Sequence, residues 1–149
     1  MASYQLFITQ YDRGLGSNRR PLPFHMEICL LTGGYGATRI ATVYHIVGST
    51  SGYFFQKQEG VHFTSSAHYR GKLPIGVVAA SQVTKMEALF GQVEIVNNDP
   101  RWNCQNWVFS AVRKLVGYGF PINGFAALAD MQAAMGAAWD DWESGATSD

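Results

Sequence analysis

Three glycine-rich turns cut the first sixty residues into short segments, and this punctuation constrains the fold more than any other feature. The turns fall at 12–18 (DRGLGSN), 33–36 (GGYG) and 48–52 (GSTSG). Around them lie 3–11 (SYQLFITQY), 24–32 (FHMEICLLT), 38–47 (TRIATVYHIV) and 53–58 (YFFQKQ). Aromatic and β-branched residues run through these segments, the composition that suits a pleated surface. Loops this short join antiparallel neighbours, so the pattern predicts a four-stranded meander.

The second half changes period. Val83, Met86, Leu89 and Phe90 share one face of a helix expected over 82–92, with Ser81 as its N-cap. Asn103 precedes a second helical run from Cys104 to about Val116, in which Trp107, Val108, Ala111, Val112 and Leu115 are the apolar positions. Gly117 and Gly119 stop it. Residues 124–142 predict a third, alanine-rich helix, anchored by Trp139 and Trp142. Strands followed by helices predict an α+β domain with the helices on one face or end of an antiparallel sheet. Neither a repeat nor a linker divides the chain. A single domain over 1–143 is expected, with 144–149 as a flexible tail.

Charge and composition exclude some functions. Eleven basic residues balance eleven acidic ones and are scattered, so the chain has no electrostatic footprint for nucleic acid or anionic lipid. No apolar run approaches the roughly 18 residues that cross a bilayer. The N-terminus lacks a leader pattern and the C-terminus a lipidation motif. A cytoplasmic protein without nucleic-acid or membrane partners is the expectation. The two cysteines, Cys29 and Cys104, have no CxxC spacing, which argues for free thiols over a disulfide scaffold or zinc ribbon.

Those thiols differ in setting. Cys29 lies mid-strand between Ile28 and Leu30 and is expected in the core. Cys104 follows a candidate cap at a helix start, where unpaired N–H groups and the helix dipole favour an anion. A thiol near its ordinary pKa of about 8.5 is mostly protonated, and such a site draws it toward the reactive thiolate. The backbone N–H groups of Cys104 and Gln105 are candidates for an oxyanion site there. Tyr4, Gln10 and Tyr11 are candidates for a second donor by polarity alone.

The partner base must come from one of four histidines. Strand alternation puts His25, Glu27, Cys29 and Leu31 on one face and Met26, Ile28 and Leu30 on the other. His45 shares a face with Val43 and Val47 near the end of the next strand. A hairpin around 33–36 makes His25 and His45 cross-strand neighbours. Glu27, on the face of His25, is either an alternative orienter of that ring or a solvated edge charge. His62 and His68 lie in a polar stretch expected to be exposed loop or edge strand, able to line a substrate cleft. Trp107 reads as core; Trp102 reads as a substrate wall or a hydrophobic staple. His25, His45 and Cys104 have the types of metal ligands but no close spacing, so neither metal nor cofactor is expected.

His25 opening an apolar strand, Tyr44-His45-Ile46-Val47-Gly48 ending another, and Asn103-Cys104-Gln105-Asn106-Trp107-Val108 starting a helix together resemble the circularly permuted papain-like proteins. These include the lecithin:retinol acyltransferase-like enzymes and the PPPDE-type peptidases. The pattern is closest to small fungal proteins with the same order of elements. The resemblance covers residues 24–58 and 102–120; the chain departs from it with Met26 where such sequences often carry Trp, and with Glu27 and Cys29 inside the strand. It implies a papain-like domain permuted so that the nucleophile helix comes late, with Cys104 as nucleophile, His25 as base and His45 as orienter, Glu27 being the alternative.

The expected activity is acyl transfer through a Cys104 thioester on a small-molecule, peptide or acyl-thioester substrate, by hydrolysis, transfer or cyclisation. The rival expectation is a catalytically silent binding domain on the same scaffold.

Overall fold

The computed structural model of the protein describes residues 2–34 and 36–145. Tyr35 of the 33–36 turn and residues 146–149 of the expected tail lie outside them. The elements run β1 (Ser3–Tyr11), β2 (His25–Gly33), β3 (Ile40–Val47), β4 (Phe54–Val61), β5 (Tyr69–Ala79), α1 (Val83–Phe90), α2 (Cys104–Gly117) and α3 (Leu128–Glu143). One five-stranded sheet has the order β4-β3-β2-β1-β5, and every pairing is antiparallel. The fold is therefore α+β, with the expected meander extended by a strand that returns beside β1.

Both faces of the sheet are covered, which is why its central strands read as nearly continuous apolar runs. Leu6, Ile8, Met26, Ile28, Leu30, Tyr44 and Ile46 face the helices and pack with Met86, Trp107, Val108, Ala111, Met131 and Met135. Phe7, Cys29, Ala41 and Val43 face the other way, against Phe63 and Tyr69. Cys29 is fully buried there, its sulfur 3.4 Å from Thr9 Oγ1.

β5 departs furthest from the sequence expectation, which offers exposed loop or edge strand around His62 and His68 and no element over 69–79. Its Pro74 sits on an edge strand, where the missing N–H costs no ladder bond, and the β1–β5 register shifts twice. Two of its glycines admit neighbouring backbone. A Cβ on Gly71 would lie 2.9 Å from Ala138 O of α3, and one on Gly76 would lie 2.6 Å from Pro121 O. Those close approaches remove the side-chain alternation by which a strand is recognised.

Helix starts also shift. Ser81 does not cap α1: the chain leaves β5 still paired, Ala80 N–H donating to Ala2 O at 3.0 Å, and tightens through a 3-10 turn over Ala80–Gln82. Gln82 then stands at the cap without a side-chain bond. α3 begins at Leu128 rather than 124, because Asn123 N–H donates to Ile75 O at 2.7 Å and Ile122 bridges Gly76. Those contacts hold the chain extended beside β5. Among the described residues no helix is long and apolar enough to cross a membrane.

Candidate active site

Cys104 is the first residue of α2, and Asn103 fixes that turn. Asn103 is extended (φ −151°, ψ −167°), its Oδ1 accepts from Gln105 N–H at 2.9 Å, and its own N–H donates to Asn106 Oδ1 at 3.0 Å. This reciprocal cap satisfies two groups and aims the dipole's positive end at the first turn. It also corrects the expectation for the Gln105 backbone. That N–H is engaged by the cap, so the oxyanion donor this turn offers is Cys104 N–H, which has no acceptor among the described residues.

The Gln105 side chain has a different task. Its Nε2 donates to Phe24 O at 2.9 Å, and its Oε1 accepts from Gln132 Nε2 at 2.8 Å. One buried amide thus ties the start of α2 to the residue before His25 and to α3. Cys104 Sγ lies 3.9 Å from the same Phe24 carbonyl.

His25 opens β2 and lines one cavity with Cys104. On its other side, His25 Nε2 lies 3.1 Å from Glu27 Oε2 and 3.1 Å from His45 Nδ1, while Glu27 Oε2 lies 2.8 Å from His45 Nδ1. Of the three atoms only the carboxylate oxygen carries no proton to donate, so the triangle is satisfied when both rings give an N–H to Glu27. His45 Nε2 is 3.0 Å from the Gln56 amide, which can turn either its oxygen or its NH₂ group to the ring.

Strand register explains the grouping. Ile28 pairs Tyr44 and Cys29 pairs Val43, so one further step sets Glu27 opposite His45. His25 and His45 are diagonal neighbours on one face rather than direct partners. Glu27 is buried, not a solvated edge charge. Gln56 pairs His45 directly from β4.

Burial and pairing compete at each ionisable group. Burial lowers the His25 pKa, yet the neighbouring Cys104 and Glu27 outweigh it and raise the value to about 9. Burial raises that of Glu27, but the two histidines bring it down to about 2. Cys104 moves below the ordinary thiol range: burial opposes this most, and His25, the Met26 backbone and the Arg13 charge together outweigh it. Burial pushes the Cys29 thiol far the other way. The two thiols, indistinguishable by composition, are driven apart.

Cys104 and His25 line a cavity of about 200 Å³ with Ile46, Gly48, Tyr53 and Arg13. Trp102 stands behind it, its ring 5.6 Å from that of Tyr53, and so backs the wall instead of forming it. Neither Tyr4, Gln10 nor Tyr11 lines this space. Gln10 Nε2 donates to Met135 O at 2.8 Å and Arg70 O at 3.0 Å, and Tyr11 OH reaches Phe63 O at 3.4 Å. The exposed His62 and His68 line a second cavity of about 300 Å³ on the far side of His25 and Glu27.

Arg13 and Gln56 are site neighbours that no motif in the sequence marks. Gln56 was within reach of a register argument across the 48–52 turn; Arg13 sits in a long loop with no period to read.

Fold and site define an α+β protein in which Cys104, His25 and Glu27 are grouped where the start of α2 meets the sheet. The chain belongs to a family described as a family of unknown function (DUF6540), which it matches over residues 8–120. That span holds Arg13, His25, Glu27, His45 and Cys104. No curated protein matches the chain, and no solved structure does.

Proposed function

We propose that the protein is a cysteine-dependent acyl-transfer enzyme, with a papain-like, circularly permuted domain, in which Cys104 is the nucleophile and His25 the base. The observation that carries this reading is that Cys104, at a capped helix N-terminus, lines one cavity with His25, whose ring is held by Glu27. The Cys104 thiolate attacks the acyl carbonyl, and the oxyanion that forms accepts from Cys104 N–H. The C–N, C–O or C–S bond to the leaving group breaks as the His25 imidazolium gives it a proton, leaving a thioester on Cys104. Water or another nucleophile then gives its proton to His25 and attacks the thioester, and the returning proton restores the pair. Glu27 holds His25 in the productive orientation, and His45 holds Glu27, the reverse of the order that the resemblance implies.

Iodoacetamide tests this. At about pH 6, below the ordinary thiol pKa, Cys104 is alkylated in strong preference to the fully buried Cys29, and His25→Ala slows the Cys104 reaction. If Cys104 is as sluggish as a thiol with an ordinary pKa in the folded wild type, the nucleophile reading fails and a silent binding domain remains.

One observation favours a second reading. His25, Glu27 and His45 offer three ligand atoms within 4.8 Å of one another, and two imidazoles with a carboxylate form a donor set for a divalent transition metal. In that case His25 serves the metal and not the thiol, and the protein carries about one equivalent of metal after purification.

A further inference from the structure

Arg13 brings a cation into the cavity of Cys104, where its charge favours the thiolate but meets no carboxylate among the described residues. The other walls include Ile46, Val47, Gly48 and Tyr53, which are apolar or neutral, and no carboxylate lines the space. Among the described residues Arg13 has neither an ion pair nor a hydrogen bond, whereas Arg101 faces Asp99 at 3.6 Å. The acid beside it in sequence is turned elsewhere: Asp12 Oδ1 accepts from Gly14 N–H at 2.7 Å, and its Oδ2 faces Arg70 at 3.7 Å.

The loop that carries Arg13 is internally bonded. Leu22 N–H donates to Gly14 O at 2.9 Å, Gly16 N–H to Arg20 O at 2.8 Å, and Leu15 bridges Pro21. The backbone therefore holds Arg13 at the cavity while its side chain stays exposed. An unpaired guanidinium is a planar fork of donors matched to a carboxylate, and it is strongest where water is partly excluded.

We propose that Arg13 receives a carboxylate of the substrate, so that the preferred acyl donors bear an acidic group a few bonds from the carbonyl that Cys104 attacks. This rests on the acyl-transfer reading above. The small volume of about 200 Å³ shared by Arg13 and Cys104 sets the short separation. A neutral acyl group would leave the guanidinium without a partner at the reacting end of the cavity.

Two alkylating probes separate recognition from thiol activation. Iodoacetate and iodoacetamide both react with the thiolate, and they differ in carrying a carboxylate or a neutral amide next to the carbon attacked. The ratio of their rates at Cys104 cancels the thiolate fraction, which Arg13 also influences. In the folded full chain, Arg13→Gln lowers the iodoacetate-to-iodoacetamide ratio by about fivefold, the scale of one exposed ion pair. Arg13→Lys retains part of it, and added salt moves the wild-type ratio toward that of Arg13→Gln. An unchanged ratio in Arg13→Gln, with Cys104 still reactive toward iodoacetamide, overturns this inference and leaves the acyl-transfer reading intact. Failure of wild-type Cys104 to react with either probe at about pH 6 overturns both.

Discussion

Glu27 Oε2 lies 2.8 Å from His45 Nδ1, closer than either atom lies to His25 Nε2, which is 3.1 Å from both. A carboxylate between two imidazoles sets their tautomers and lets His25 present its other ring nitrogen to the sulfur. His45 in this geometry acts on His25 through Glu27. Glu27→Gln is therefore expected to lower the His25 pKa by about one unit or more, as loss of a close opposite charge does. His45→Asn keeps the carboxylate and is expected to lower it less. Proton NMR titration of the His25 ring reads both shifts. A larger effect from His45→Asn would return His45 to the orienting role.

The same shifts set how stability varies with pH. His25 is raised to about 9 from an ordinary 6.5, so its stabilisation is complete below about 6.5 and is lost as pH rises through about 9. Glu27 is lowered to about 2 from 4.5, so its contribution is complete above about 4.5 and is lost as pH falls through about 2. Both are fully present only between about 4.5 and 6.5. The lowered Cys104 thiol works in the opposite sense to His25 on the alkaline side, which makes the acid limb the cleaner readout. Urea midpoints are expected to fall on acidification below about pH 4.5, and Glu27→Gln is expected to flatten that limb. A Glu27→Gln profile parallel to the wild type would contradict the assignment.

Much of this arrangement was legible before the fold. Strand alternation put His25, Glu27 and Cys29 on one face, and Asn103 announced the start of α2. What the sequence did not disclose arises from long-range contacts. The hairpin register decides whether His25 or Glu27 faces His45, and a two-residue shift preserves the face while changing the partner. β5 escaped notice because Gly71, Pro74 and Gly76 serve close backbone approaches and an edge position, not a pleated pattern. The cap itself hid a consequence: the Asn103 side chain that organises the helix start also takes the Gln105 N–H away from any oxyanion.

Chelation separates the two readings of the His25–Glu27–His45 cluster. If the cluster serves the thiol, EDTA leaves the alkylation rate of Cys104 at about pH 6 unchanged. Added zinc slows it, because the metal takes His25 Nε2 from its carboxylate. If the cluster is a resident metal site, EDTA changes the wild-type rate and lowers the melting temperature, and both are restored by metal. The melting shift is the decisive measurement, since a metal held by ligands from two strands is linked to folding.

Asn103 offers a test in which stability and reactivity can be compared in one residue. Its side chain satisfies Gln105 N–H, and its backbone N–H is satisfied in return by Asn106. Asn103→Ala is expected to cost about 1 kcal/mol, the usual loss for a polar N-cap, and to let the first turn of α2 fray. Fraying moves Cys104 off the dipole and away from His25, so alkylation near pH 6 is expected to slow by about tenfold, the equivalent of one pKa unit. Asn103→Asp keeps the cap acceptor and so keeps stability, but it sets a negative charge one residue from the sulfur. That charge raises the thiol pKa, and alkylation slows while the melting temperature holds. A Cys104 rate that follows stability alone across the two variants would reduce the cap to a structural role. A rate that falls in Asn103→Asp without loss of stability ties the thiolate to the electrostatics of the helix start.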